Sequence, residues 1–189
     1  MDYKKDYLTY IKRMVNKKRY NHTLGVIDSA LKLAEIYHEN PDKVRIAASL
    51  HDVTKNMDMD EQLELITKTL GPESIEELPG GAIHSYSGYI YAMDYIGIDD
   101  EDILNAIKNH TLGRPNMSLL EKIIYVADFI EPGRTSEESK ICANIAYNES
   151  LDKAVLYAIN VVTSELKEAN RYIAPITFET KKYFEELVK

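Results

Sequence analysis

Apolar residues recur along this chain at helical spacing. From about Asn21 to Glu39, the series Val26, Ala30, Leu33 and Tyr37 lays one stripe down a helix, and His22 falls on that stripe. His22 is therefore expected to face inward. Asn40 and Pro41 stop this helix and start the next, with Asn as N-cap and Pro at the first helical position. In that second helix Val44, Ala47, Ala48 and His51 share a face, so His51 also points into the core. The run KIIYVADFI reads at first like a strand, but Ser118 with Glu121 forms a capping box ahead of it and Glu131-Pro132-Gly133 ends it. With Ile123, Ala127 and Ile130 at helical spacing, it is expected to be a helix that leaves Asp128 in an apolar setting. Further helices are expected at about 62–70, 85–96, 99–110, 136–147, 151–171 and 177–187, and there is no hairpin signal or repeat. LPGGAIH, with two adjacent glycines near His84, reads as the most flexible connection. The expectation is an all-α bundle in a single domain over 1–189, with its core at about 18–135 and C-terminal helices at about 136–187.

Composition narrows the setting. At 189 residues, 44% apolar and 29% charged, the chain suits one soluble domain and carries no low-complexity tract. Its one cysteine, Cys142, rules out an intramolecular disulfide and fits a reducing compartment. The charged start MDYKKDYLTYIKR lacks the apolar run of a signal peptide, and no stretch approaches the ~20 apolar residues that span a bilayer, so a cytoplasmic location is expected. A formal charge of −8 argues against duplex nucleic acid or an anionic membrane as partner. A small phosphorylated substrate remains open, because a metal ion can supply positive charge locally.

Six polar residues stand out at helix ends or on apolar faces: His22, His51, Asp52, His84, His110 and Asp128. A lone buried histidine is usually a satisfied core residue. Several together are harder to explain, since each costs about 1–3 kcal/mol without a partner and one shared cation would satisfy them all. Imidazoles and carboxylates suit iron, manganese, cobalt or zinc, and the lack of thiolates argues for a catalytic rather than a structural metal site. His38 is set apart, because a histidine near a helix C-terminus is favoured by the helix dipole.

The series His22, His51-Asp52 and Asp128 resembles the H…HD…D signature of the HD superfamily of metal-dependent phosphohydrolases. NHTLGV, SLHDVTK, AIHSYSG, KNHTLGRPNMS and KIIYVADFIEPGR narrow the resemblance to the bacterial YqeK-type subfamily, symmetrical hydrolases of diadenosine tetraphosphate and related dinucleoside polyphosphates. The resemblance covers nearly the whole chain. It implies an HD-domain helical bundle, a bound metal, preferably iron with manganese or cobalt as alternatives, and cleavage of the substrate at its middle into two ADP. It assigns the metal to His22, His51, Asp52 and Asp128. His84 and His110 then have two possible roles: binding a second metal with Asp52 as bridge, or serving the substrate phosphates. The preferred expectation is one iron, with these two histidines at the phosphates. Asp52, Lys55, His84 and His110 form the expected catalytic set.

Lys55 lies one helical turn beyond Asp52, where an ammonium could meet a phosphate. Thr111, Gly113 and Arg114 offer a hydroxyl, a glycine and a guanidinium to phosphate oxygens, and Arg134 follows the stop of the Asp128 helix. Arg19 is a further expected substrate contact. In the stretch from Asn170 to Pro175, Arg171 and Tyr172 are expected substrate contacts, with Tyr172 placed to stack on a base, although helix termination explains the tyrosine equally well. A homodimer is possible. Two other functions remain in view: an HD phosphohydrolase acting on nucleotide monophosphates or alarmones, and a nucleotide-binding module without turnover.

Overall fold

The structure is a computed structural model that describes residues 7–189. The first part of MDYKKDYLTYIKR therefore lies outside the described residues. The described chain is all-α, with ten α-helices and no strand among the described residues: α1 (Tyr7–Met14), α2 (Lys17–Tyr37), α3 (Pro41–Leu50), α4 (Met59–Leu70), α5 (Ile83–Tyr91), α6 (Glu101–Asn109), α7 (Leu119–Ile130), α8 (Glu137–Asn148), α9 (Leu151–Glu168) and α10 (Pro175–Leu187). Among the described residues no helix is long and apolar enough to cross a membrane.

Short polar side chains set most helix starts. Asn40 accepts hydrogen bonds from the Asp42 and Lys43 amides ahead of Pro41, and Ser118 with Glu121 makes the reciprocal box that opens α7. Asp58, Asp100, Ser136 and Ser150 cap α4, α6, α8 and α9 in the same way. Several boundaries differ from the expected ones for this reason. α2 begins earlier than Asn21 because Asn16 accepts from the Arg19 amide, and it ends at His38, which takes the left-handed φ of 60°. The segment expected as one helix at 85–96 is α5 followed by a π turn, Ala92–Ile96, closed by Gly97 at φ 79°. The connection expected to be the most flexible ends in a 3-10 turn, Gly80–Ala82, that leads directly into α5. α1 was not anticipated; it docks through Tyr7 and Ile11, both buried.

α7 is the centre of the molecule, packing on α2, α3, α6, α8 and α9. It is buried around most of its circumference, with Leu120, Ile123, Ile124, Val126 and Ala127 fully covered, which is why its sequence resembles a strand. α2 and α3 pack on each other and on α7, α6 packs between α3 and α7, and α5 lies against α6. This arrangement gathers the ends of α3, α6 and α7 in one region.

The polar anchor of that core is Glu121, which is 1% exposed. It receives Arg114 Nε at 2.7 Å and Nη2 at 2.6 Å, Asn109 Nδ2 at 2.7 Å and the Ser118 amide at 2.7 Å. Removing it would leave four N–H donors, from three residues, without their acceptor. We expect Glu121→Ala to lower stability by about 2–3 kcal/mol, short of the loss for a fully buried pair because water can reach Arg114. Urea unfolding measures this, and a loss below about 0.5 kcal/mol would show that water replaces the carboxylate.

Candidate metal centre

Two helices end in a histidine held by the same local device. His51 closes α3 and donates Nδ1–H to the Ala48 carbonyl at 2.7 Å; His110 closes α6 and donates Nδ1–H to the Ile107 carbonyl at 2.7 Å. Each proton satisfies a carbonyl that the helix end would otherwise leave unpaired, and each ring is left with its Nε2 lone pair facing away from the helix. His22, on α2, is fixed from another direction: its Nδ1 lies 3.1 Å from Glu131 Oε1. Asp128 sits in the last turn of α7, and His84 in the first turn of α5.

These side chains meet around Asp52, which is 4% exposed. Its two oxygens face different groups. Oδ2 lies 3.4 Å from His51 Nε2 and 3.6 Å from His22 Nε2. Oδ1 lies 3.1 Å from His84 Nε2 and 3.8 Å from His110 Nε2. His22 Nε2 is also 3.4 Å from His51 Nε2 and 3.1 Å from Asp128 Oδ1, while His84 and His110 approach at 3.1 Å through their Nε2 atoms. The result is two groups that share Asp52: His22, His51 and Asp52, and Asp52, His84 and His110, with the donor atoms of each group within 4.8 Å of one another. Asp128 joins the first group from its edge, through His22.

The chemistry of the donors tests whether a cation fits. A backbone carbonyl fixes Nδ1–H of His51 and His110, so in their neutral rings Nε2 is an acceptor, as are the carboxylate oxygens they face, while His22 meets a carboxylate oxygen through each ring nitrogen. Lone pairs pointed at one another repel unless a proton or a metal lies between them. The ends of α3, α6 and α7 add the negative poles of three helix dipoles, which favour a cation there. The residues fit a metal. His84 is the exception, because Lys55 Nζ stands 2.9 Å from its Nδ1.

Electrostatic shifts follow from this crowding. Burial opposes the Asp52 charge, but His51 and His84 outweigh it and hold the carboxyl well below the usual range. Burial likewise opposes charge on Asp128, but its hydrogen bond from His22 and the charge of the Arg134 guanidinium outweigh it and hold the carboxyl low. His110 is pushed down to about 3 by burial and by the neighbouring histidines, so it is neutral at neutral pH. Burial also lowers His84 and Lys55. Burial works against the His51 cation too, but Asp52 and Asp128 prevail and raise it, which marks a place where positive charge is favoured.

The other residues singled out in the sequence divide into two sets. Arg19 Nη1 donates to Asp52 Oδ2 at 2.6 Å, Arg134 Nη2 donates to Asp128 Oδ1 at 2.9 Å, and Thr111 Oγ1 lies 3.4 Å from His84 Nε2. These stand beside the cluster. Arg114 does not, since its guanidinium is committed to Glu121. Gly113 takes φ 67° and donates its amide to the Asn109 carbonyl, a turn that accounts for the glycine by itself. Arg171 and Tyr172 are exposed just beyond α9, and no hydrogen bond or ion pair ties either side chain to the cluster among the described residues.

Glu131 reads in the sequence only as part of a helix stop. Here it is buried, receives the His22 contact on Oε1 and accepts the Gly133 amide on Oε2 at 2.6 Å. Gly25, inside α2, lets it approach: a Cβ at that position would stand 2.6 Å from Glu131 Oε2. The signal available in the sequence was a glycine in the middle of a helix, where it costs about 1 kcal/mol relative to alanine unless something demands it. Beside His22 a cavity of about 710 Å³ opens, with Arg19, Asn21, Asp28, Asn56 and Arg134 among its walls.

The HD domain model matches residues 19–133. The chain is 38% identical to a "Bis(5'-nucleosyl)-tetraphosphatase, symmetrical" of Halalkalibacterium halodurans and 35% identical to the protein so named in Bacillus subtilis, with 92% of each chain covered in both cases. It also matches a crystal structure from Clostridium acetobutylicum described as a "predicted HD superfamily hydrolase involved in NAD metabolism". The TM-score is 0.88 at 40% identity, covering 96% of both chains.

A glycine-to-alanine change inside a helix ordinarily raises stability by about 0.4–1 kcal/mol. At Gly25 we expect the opposite sign, because the new methyl must displace the Glu131 carboxylate from His22. Thermal unfolding should show a lower Tm for Gly25→Ala, and the same change made in a Glu131→Ala background should lower it less or raise it. A Tm raised in the wild-type background would contradict the close approach.

Proposed function

The chain belongs to the HD-domain family, and from that premise we propose that it is a metal-dependent hydrolase that splits diadenosine tetraphosphate symmetrically into two ADP. Asp52 carries the reading: a buried carboxylate whose two oxygens face two separate sets of imidazole nitrogens. In this proposal His22, His51, Asp52 and Asp128 hold one ion, and Asp52, His84 and His110 hold a second. The second ion departs from the preferred expectation of a single iron with His84 and His110 at the phosphates. Its support is the shared carboxylate and the Nε2 lone pair of His110, left open by the Ile107 carbonyl. A donor set of imidazole and carboxylate without thiolate suits iron, with manganese and cobalt as alternatives. When bound, such ions supply positive charge at the phosphoryl oxygens and make a water nucleophilic near neutral pH.

The chain's own residues supply the remainder. Arg19 and Arg134 donate to Asp52 Oδ2 and Asp128 Oδ1 and line the cavity beside His22, where their positive charge meets the anionic bridge of the substrate. Were His84 Nε2 to hold a cation, the ring proton would sit on Nδ1 and the Lys55 ammonium, 2.9 Å from Nδ1 and 3.2 Å from Nε2, would lose its acceptor. Lys55 is then free for a phosphate oxygen, and its charge offsets the negative charge developing on the departing diphosphate. At about 710 Å³ the cavity beside His22 lies within the ~300–1,000 Å³ of small-molecule sites and has room for one nucleoside diphosphate half. A reducing cytoplasm suits the one cysteine, Cys142, a buried free thiol. An open pair of donor groups with Lys55 beside them argues for turnover over a binding module.

Purified protein given a panel of nucleotides, with products resolved by ion exchange, should convert diadenosine tetraphosphate to ADP alone and lose activity to a chelator. In water labelled with heavy oxygen, one label should enter the terminal phosphate of only one of the two diphosphates formed in each turnover. Release of AMP with ATP would place attack at an outer phosphorus and end the symmetrical assignment. Turnover of mononucleotides alone would favour another phosphohydrolase. Asp52→Ala should cut the rate by on the order of 10³-fold or more while helical content holds. Global unfolding in its circular dichroism spectrum would make Asp52 chiefly structural.

A further inference from the structure

A second cavity, of about 220 Å³, opens between α7 and α9. The two cavities border different parts of the cluster: the larger reaches His22, whereas the smaller reaches His110 and Asp128. Arg134 lines both. One wall of the smaller cavity is Tyr125, 6% exposed, whose hydroxyl makes no hydrogen bond within the described protein. No side-chain polar atom among the described residues is both sealed from solvent and unpaired, so this hydroxyl opens onto the cavity. Burial pushes the phenol up and keeps it protonated, a donor at any physiological pH. Facing the cavity with no acceptor from the described protein, it is a donor available to whatever occupies that space.

A symmetrical substrate has two like halves on either side of the bond that breaks, and a site that holds its middle needs room in two directions. We propose that the smaller cavity takes the sugar–phosphate end of the second half, with Tyr125 donating to it, so that the tetraphosphate bridge lies across Arg134 with one half in each cavity. This rests on the symmetrical-hydrolase reading. At about 220 Å³ the space falls below the ~300–1,000 Å³ range of sites that enclose a whole small molecule, which is why it receives part of a nucleotide. Phe129 and Val162, the latter on α9, supply apolar lining, and Val162 is not one of the candidate metal ligands.

Two variants of the full chain test this, Val162→Trp, which fills the cavity, and Tyr125→Phe, which removes only the hydroxyl. The probes are ADP and a diadenosine tetraphosphate analogue whose central bridging oxygen is replaced by methylene, both titrated by calorimetry on metal-loaded protein. Each variant should bind the analogue about tenfold more weakly than wild type, roughly the loss of one hydrogen bond to a charged group for Tyr125→Phe. The tighter ADP site should stay within about twofold of wild type in both. Analogue affinity unchanged in both variants would overturn the inference while leaving the hydrolase reading intact. Equal weakening of ADP and analogue would overturn it too, because the change would then act on the cluster. If the wild-type chain binds no analogue, the hydrolase reading fails and this inference with it. Circular dichroism checks each fold, and if Val162→Trp does not fold, Tyr125→Phe decides alone.

Discussion

A buried carboxylate cannot stay ionised by itself, and the site is organised around how Asp52 does so. Removing its charge from water would cost several kcal/mol without compensation. Four imidazoles and the Arg19 guanidinium crowd within 3.8 Å of its two oxygens. Those imidazoles come from four different helices or helix ends, so a local carboxylate fixes the relative placement of α2, α3, α5 and α6 at one point. The price is a set of lone pairs that a cation relieves, and the metal requirement and the rigidity of the site therefore share one cause.

The helix ends make this possible at small cost. A C-terminal histidine that returns its Nδ1 proton to the last turn satisfies a carbonyl, selects a tautomer and aims the other nitrogen outward in a single bond. α3 and α6 use the same arrangement. His22 lies within α2 rather than at a helix end and has no such carbonyl, so Glu131 takes over that task. Gly25 is the consequence inside α2, where a side chain would exclude the carboxylate. Arg134 begins just beyond Glu131 and reaches back to Asp128, so one short stretch after α7 orients two of the candidate ligands.

Much of this was legible in the residues. Polar groups on otherwise apolar faces identified His22, His51 and Asp128, because helical periodicity is a property of local sequence. Caps at Asn40 and Ser118 were equally local, and they account for the starts of α3 and α7. Contacts made only on folding were not legible. Arg114 looked like a phosphate ligand from its loop, yet the capping-box glutamate that claims it lies on α7. Glu131 looked like punctuation because its partner is 109 residues away. Spacing could not choose a role for His84 and His110, since the choice depends on which way the two oxygens of Asp52 point.

That orientation is the central claim, and anomalous diffraction tests it most directly. Crystals of the purified enzyme, with data recorded above and below the absorption edge of the metal found by elemental analysis, should show two anomalous peaks about 3.5–4 Å apart, one against each oxygen of Asp52. A single peak among His22, His51, Asp52 and Asp128, with none between His84 and His110, would contradict the account.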